Sequence, residues 1–273
     1  MSKKNLVITA AYGFGIDQLE LFVKSLRKFY FDDICFFIGN EDTIIEKELE
    51  KYNCICIKNK INKKDIQLKR YQLFYEFLKE KNYENILCCD SRDIYFQTNP
   101  FEYKYYKEIN YFQEDKAIKD CPYNSNWILK CYGKINFKNI KNRTILCSGT
   151  VLGKQEKILE YLNLMIQHIN YYKYKKSLKY FITLRRDPEG RGCDQGHANY
   201  IVNNDLINNK AFFPNSSGPV ATVFYLDRIV FDKNYNLLNS QNEPYSIVHQ
   251  YDKRWDKFSE AVSYKKKSLN ILV

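Results

Sequence analysis

The chain has 273 residues, 45% of them apolar and 16% aromatic, and its 43 lysines and arginines against 32 acidic residues give a net charge of +11. This content excludes a disordered tail and supports a full hydrophobic core; with only 10 glycines and 6 prolines and no fixed-period repeat, one domain of 273 residues fits better than a linked series. The positive balance suits a nucleic acid, an anionic membrane surface or a phosphorylated small molecule, or else reflects a composition rich in lysine, asparagine, isoleucine and tyrosine together.

The opening "MSKKNLVITAAYGFG" is basic, but its apolar run is too short for a signal peptide, and no later run approaches the roughly 18 apolar residues of a membrane span. The nine cysteines are odd in number, several sit in apolar runs, and no C-x-x-C pair occurs. They read as reduced core thiols, which argues against a cysteine zinc site and for a reducing, cytoplasmic setting.

In chain order, "NLVITAA" (Asn5 to Ala11) reads as a buried strand, and Leu19, Phe22, Val23, Leu26, Phe29 and Tyr30 recur at helical spacing after it. "DICFFIG" (Asp33 to Gly39) and "CICIK" (Cys54 to Lys58) read as the next two strands. Leu68, Tyr71, Phe74, Tyr75 and Leu78 mark a second amphipathic helix, and "NILCC" returns to strand. Strand, helix, strand, strand, helix, strand predicts an α/β fold, a mostly parallel central sheet flanked by helices.

In open α/β sheets ligands bind beyond the carboxyl ends of the strands, and "DSRD" (Asp90 to Asp93) stands at such an end. The D-x-x-D spacing alone carries no information, since a chain this rich in aspartate contains such a pair by chance. Placed directly after an apolar strand, with Arg92 between them, Asp90 and Asp93 form a compact oxygen site suited to Mg2+ or Mn2+ and, through the metal, to a diphosphate. The alternative is a turn in which Asp90 caps the backbone and Asp93 pairs with Arg92 or a lysine. "AAYGFG" (Ala10 to Gly15), after the first strand, permits close backbone approach but is neither a dinucleotide fingerprint nor a P-loop.

Three later segments add candidates. "TILCSGTVLG" (Thr144 to Gly153) is a strand interrupted by the small residues Ser148, Gly149 and Thr150, either room for a sugar ring or a bulge. "GCDQGHANYIV" (Gly192 to Val202) puts Asp194 and Gln195 before a short helical stretch, as caps or as pocket residues. "SIVHQYDKRW" (Ser246 to Trp255) ends a strand with His249, followed by Asp252, Lys253 and Arg254.

Taken in order, these segments resemble the GT-A-type glycosyltransferases, which move a sugar from a nucleotide diphosphate donor to an acceptor. The D-x-x-D form is similar to that of the collagen-type glucosyl- and galactosyltransferases and some viral and bacterial relatives. The resemblance implies a Rossmann-like single domain in which residues 1–101 bind the nucleotide and 102–273 bind sugar and acceptor. It implies Mn2+ or Mg2+ held by Asp90, Asp93 and His249, with Asp90 alternatively facing the donor ribose, and Lys253 and Arg254 as fixed cations. A UDP-sugar or similar donor would lie against Ala10, Ala11, Tyr12, Arg70, Ser91, Arg92, Ser148 and Gly149. Asp194 and Gln195 would be catalytic, Asp194 as base if configuration inverts, or either residue holding donor hydroxyls if it is retained. Residues 102–143, with Trp127, would build the side for a glycan or other hydroxyl acceptor, and "RRDPEGRG" (Arg185 to Gly192) would be a lid or a surface loop.

Two rivals remain open at this point. A basic, aromatic-rich nucleic-acid-binding module would account for the charge and the 24 tyrosines, but leaves the strand-end aspartates without a purpose. A nucleotidyltransferase would want a lysine in the first loop, which "AAYGFG" lacks. The C-terminal "SYKKKSLNILV" reads as a solvated tail or as a peripheral membrane contact.

Overall fold

The computed structural model describes residues 3–105, 107–183 and 192–271. The first half alternates strand and helix: β1 (Leu6–Ala10), α1 (Ile16–Arg27), β2 (Asp33–Gly39), α2 (Thr43–Glu50), β3 (Cys54–Asn59), α3 (Ile66–Leu78) and β4 (Asn85–Cys89). After the short β5 (Ile94–Phe96) come β6 (Ile109–Ala117), α4 (Pro122–Ile140), β7 (Thr144–Lys154), α5 (Gln155–Thr183), α6 (Cys193–Asn203) and β8 (Lys210–Phe213). The chain closes with β9 (Val220–Thr222), β10 (Ile247–His249) and α7 (Trp255–Ser268).

Seven strands form one sheet in the order β3-β2-β1-β4-β7-β6-β8, antiparallel only where β7 meets β4 and β6. The expected α/β architecture is present, and the sheet draws β1 to β4 from residues 1–101 and the rest from 102–273. Helix α2 is an addition to the expected order. With only Ile45 and Leu49 buried and Ile44 exposed, its apolar stripe is too thin to stand out in the sequence.

The inner strands are apolar on both faces because both faces are covered. On one, Leu19, Phe22, Val23 and Leu26 of α1 pack on Val7, Ile34, Phe36 and Ile38. On the other, Tyr71, Phe74 and Leu78 of α3 and Tyr161, Leu162 and Met165 of α5 pack on Leu6, Ile8, Cys35 and Phe37. A second sheet, β5-β10-β9, is braced by buried Gln97, whose amide bonds the backbone of Leu237 and Tyr245. The basic stretch near the C-terminus is not a loose tail: residues up to Ser268 belong to α7, which packs through Phe258 and Val262, and Ile271 is buried in the same cluster. No helix among the described residues is long and apolar enough to cross a membrane.

Candidate metal and donor site

The site lies where β1 and β4 end and three later segments converge on them. Asp90 follows β4, and its N–H donates to the Gly149 carbonyl at 2.9 Å, so β7 carries Ser148 and Gly149 alongside the acidic turn. Ser91 is buried and its hydroxyl donates to the Ala10 carbonyl at 3.2 Å, pinning the turn to the end of β1. Pairing of β5 with β10 sets Ile94 opposite His249, and the Gln250 N–H donates to the Asp93 carbonyl at 2.8 Å. Asp93 and His249, far apart in sequence, are thus neighbours because of strand register.

His249 Nε2 lies 3.4 Å from Asp90 Oδ2 and 3.8 Å from Asp93 Oδ1, and the donor atoms of all three residues fall within 4.8 Å of one another. Nε2 is buried and makes no hydrogen bond, while Nδ1 faces the Cys147 sulfur at 3.4 Å. An Nδ1–H donated to that sulfur leaves the Nε2 lone pair aimed between two carboxylates, which is the donor set of a hard or borderline cation. The residues fit Mn2+ or Mg2+. Electrostatics agree. Burial opposes a charge on Asp90, yet Arg70 and His249 outweigh it and hold its pKa well below the usual carboxylate range. Burial raises Asp93, only partly relieved by His249. Burial disfavours His249 protonation, but Cys147 and the two carboxylates overcome it and raise its pKa well above the ordinary value. Positive charge is favoured where the three side chains meet.

Gly149 makes this approach possible. A Cβ there would lie 2.4 Å from His249 Cε1 and 2.6 Å from Asp90 Oδ2. The small residues of "CSGT" mark a bulge, as one reading of the sequence expected: β7 stays in register with β4 through Thr150, but against β6 the pairing jumps from Val151 to Leu146, leaving Cys147 to Thr150 opposite Phe112 alone.

Beside the triad opens a cavity of about 570 Å³, lined among others by Ala10, Phe14, Arg70, Trp127, Ser148, Asp194, Gln195 and Lys253. Arg70 of α3 bridges the two acidic sides, bonding Asp90 through one nitrogen and Asp194 Oδ2 through the other at 2.9 Å. Asp194 also accepts from Tyr71 Oη at 3.1 Å and Gln67 Nε2 at 3.0 Å. Tyr71 therefore belongs both to the core stripe of α3 and to the Asp194 network. Asp194 is in the first turn of α6, two residues after its N-cap Gly192, and its carboxylate is taken up by Arg70, Tyr71 and Gln67. Helix α6 is fixed by Asn199, whose amide bonds both the N–H and the carbonyl of Leu146 on β7 at 2.9 Å.

Several expected residues stand elsewhere. Ala11 and Tyr12 are buried, at 0% and 4% exposure, in the cores on either side of the sheet and do not line the cavity; Phe14, two residues on, does. The side chain of the second residue past the strand points into the core, so the aromatic at the cavity is the later one. Arg92 lines the cavity but is engaged by Asp252 at 2.7 Å, with Asp93 only at 4.0 Å, so the Asp93–Arg92 turn pairing is not the dominant contact. Arg254 is outside the lining and donates to the Leu226 carbonyl at 3.3 Å. Lys253 is half-exposed at the rim, 3.8 Å from Asp252. Of the suggested lid, residues 185–191 lie outside the described residues.

The sequence reading missed Glu114. It is buried on β6, accepts from Gln195 Nε2 at 3.2 Å, and burial pushes its pKa up to about 7 against the opposing pull of His249 and Gln195. Glu114 also lines a second, polar cavity of about 530 Å³ with Asp115, Asn215, Arg228 and Tyr245. A carboxyl inside a segment of tyrosines and lysines gives no local signal; alternation along β6, with Phe112 and Glu114 both buried, is its only trace.

No protein-family model matches the chain, and no curated protein matches it.

Proposed function

We propose that this protein is a metal-dependent glycosyltransferase that uses a nucleotide diphosphate sugar, a UDP-sugar foremost, as donor and a carbohydrate or other hydroxyl as acceptor. The observation that carries the reading is the convergence of Asp90, Asp93 and an unpartnered, buried His249 Nε2 at the wall of a cavity large enough for such a donor. Mn2+ or Mg2+ held there would supply charge stabilisation for the diphosphate leaving group.

The remaining roles belong to side chains of the chain itself. Phe14 offers an aromatic face for the base, and Lys253 a cation at the rim for phosphate. Ser148 and Gly149 leave backbone close to where a sugar would sit. With three donors already on its oxygens, Asp194 holds Arg70 in place and is poorly disposed to accept a proton from an acceptor. Glu114 lines the other cavity and reaches the donor cavity only by accepting from Gln195, so its place is to orient the Gln195 amide toward the sugar.

Calorimetry with a panel of nucleotide sugars, in Mn2+ and in chelator, tests the proposal. The expected result is donor binding that needs the metal, with slow donor hydrolysis when acceptor is absent. Binding of oligonucleotides with steep salt dependence and no donor binding would instead support a nucleic-acid module. Turnover of nucleotide triphosphates alone would support a nucleotidyltransferase.

A further inference from the structure

We propose that Cys131, Cys193 and His197 form a second metal site, selective for a thiophilic ion such as Zn2+, that ties α4 to the first turn of α6. The three residues come from two helices, Cys131 and Cys193 being 62 positions apart, and their donor atoms lie within 4.8 Å of one another. Cys131 Sγ is 3.2 Å from Cys193 Sγ, and Cys193 Sγ is 3.8 Å from His197 Nε2.

Around a tetrahedral zinc, metal bonds of about 2.3 Å to sulfur and 2.0 Å to nitrogen place two sulfurs about 3.8 Å apart and sulfur and nitrogen about 3.5 Å apart. The observed separations are within a few tenths of an ångström to about half an ångström of those. A disulfide would require the sulfurs to close by more than 1 Å, to about 2.05 Å, and would leave the histidine without a purpose. At 3.8 Å the Cys193–His197 contact is long for a hydrogen bond even to sulfur, whereas it suits two ligands of one ion.

The histidine is also held as a ligand would be. His197 is buried, one helical turn after Cys193, so both side chains face the same way. Its Nδ1 is 2.6 Å from Tyr132 Oη, which is 3.1 Å from His168 Nδ1 and whose ring stacks on Tyr200 of α6 at 3.6 Å. A chain from His197 Nδ1–H to the Tyr132 oxygen, and from its hydroxyl to His168, leaves Nε2 bare toward the thiols. This is the outer support that orients a metal-bound imidazole. Two sulfurs and one nitrogen select zinc, where the two carboxylates and one nitrogen at Asp90, Asp93 and His249 select a harder ion. Such a clamp sits one residue before Asp194 and one turn after Trp127, so it would fix a wall of the donor cavity; the site itself does not depend on what that cavity binds.

The test loads the full chain with Co2+ after chelation and records near-ultraviolet absorption, where thiolate-to-cobalt charge transfer appears. Wild type should show the band; Cys131→Ser and Cys193→Ser should each lose most of it, while Asp93→Asn should keep it. Should a serine variant fail to fold by circular dichroism, wild-type protein purified with zinc still decides. Chelation should then release one zinc per chain and expose two further thiols to a thiol reagent in parallel. No band in wild type, a band that survives both serine substitutions, zinc release without thiol exposure, or a Cys131–Cys193 disulfide in reduced, zinc-loaded protein would each overturn the site.

Discussion

Replacing Gly149 by alanine adds a single methyl group, and the structure states where it would go. The new Cβ would sit 2.4 Å from His249 Cε1, 3.0 Å from its Nε2 and 2.6 Å from Asp90 Oδ2, where ordinary contacts begin near 3.4 Å. Both partners must therefore give way, by up to roughly 1 Å, in a packed interior. The imidazole is only 1% exposed and backed by Cys147, and β7 is held to β4 through Thr150 and through the Gly149 carbonyl on the Asp90 N–H, so neither yields freely. Asp90, at about a third exposed, swings more easily than the imidazole, but displacing either withdraws a metal ligand, and displacing Asp90 also strains its Arg70 pair. Overpacking of this kind costs about 1–3 kcal/mol. Loss of one well-placed ligand should lower Mn2+ affinity at least tenfold, about 1.4 kcal/mol. Gly153→Ala is the control on the same strand: its Cβ would meet the Glu108 carbonyl at 2.5 Å, far from the triad, and should lower stability without touching metal affinity. Urea denaturation and calorimetric Mn2+ titration of both variants make the comparison. A folded Gly149→Ala protein that binds Mn2+ within twofold of wild type would refute the reasoning, as would an equal loss in Gly153→Ala.

Asp93→Asn and His249→Ala should each weaken Mn2+-dependent donor binding at least tenfold with the fold kept; a His249→Ala protein that unfolds, yet retains full activity per folded molecule, would make the histidine purely structural. Asp194→Asn presents an amide donor to Arg70 or Gln67 and should destabilise the protein by roughly 3 kcal/mol, as broken buried pairs do. Unchanged urea stability combined with a hundredfold loss of transfer would return Asp194 to the role of base. Glu114, with a folded pKa raised from 4.5 to about 7, binds its proton more tightly in the native state. In chelator, its contribution is therefore complete below pH 4.5 and lost as pH rises through 7, a fall of roughly 3 kcal/mol that Glu114→Gln should flatten. A pH–stability curve identical in that variant would contradict the assignment.

What the sequence made legible was whatever is local. Buried parallel strands are apolar without interruption, so β1, β2 and β4 announce themselves, as does the alternating edge strand β3, and with them the strand ends where Asp90 and Ala10 stand. The helices with wide apolar stripes, α1 and α3, are equally visible, whereas α2 with two buried residues is not. Direction is harder to read than position: Tyr12 and Phe14 are both aromatics after β1, and only the fold shows that the first turns into the core. Contacts made by register or by helix packing leave no local trace. Asp93 meets His249 through the β5–β10 pairing, and Cys131 meets Cys193 and His197 across two helices, an arrangement that the absence of C-x-x-C could not exclude. Glu114 is hidden for the same reason, its partner Gln195 lying 81 residues away.

In the proposed function Asp90, Asp93 and His249 hold the metal on which donor binding depends. Diffraction from crystals grown with Mn2+ and UDP, collected where manganese scatters anomalously, tests it most directly. One strong anomalous peak is expected within bonding distance of all three side chains, with diphosphate oxygens on its open side and the nucleotide running toward Phe14. Nucleotide bound with no peak at the triad, or manganese bound away from it, would remove these three residues as the metal's ligands.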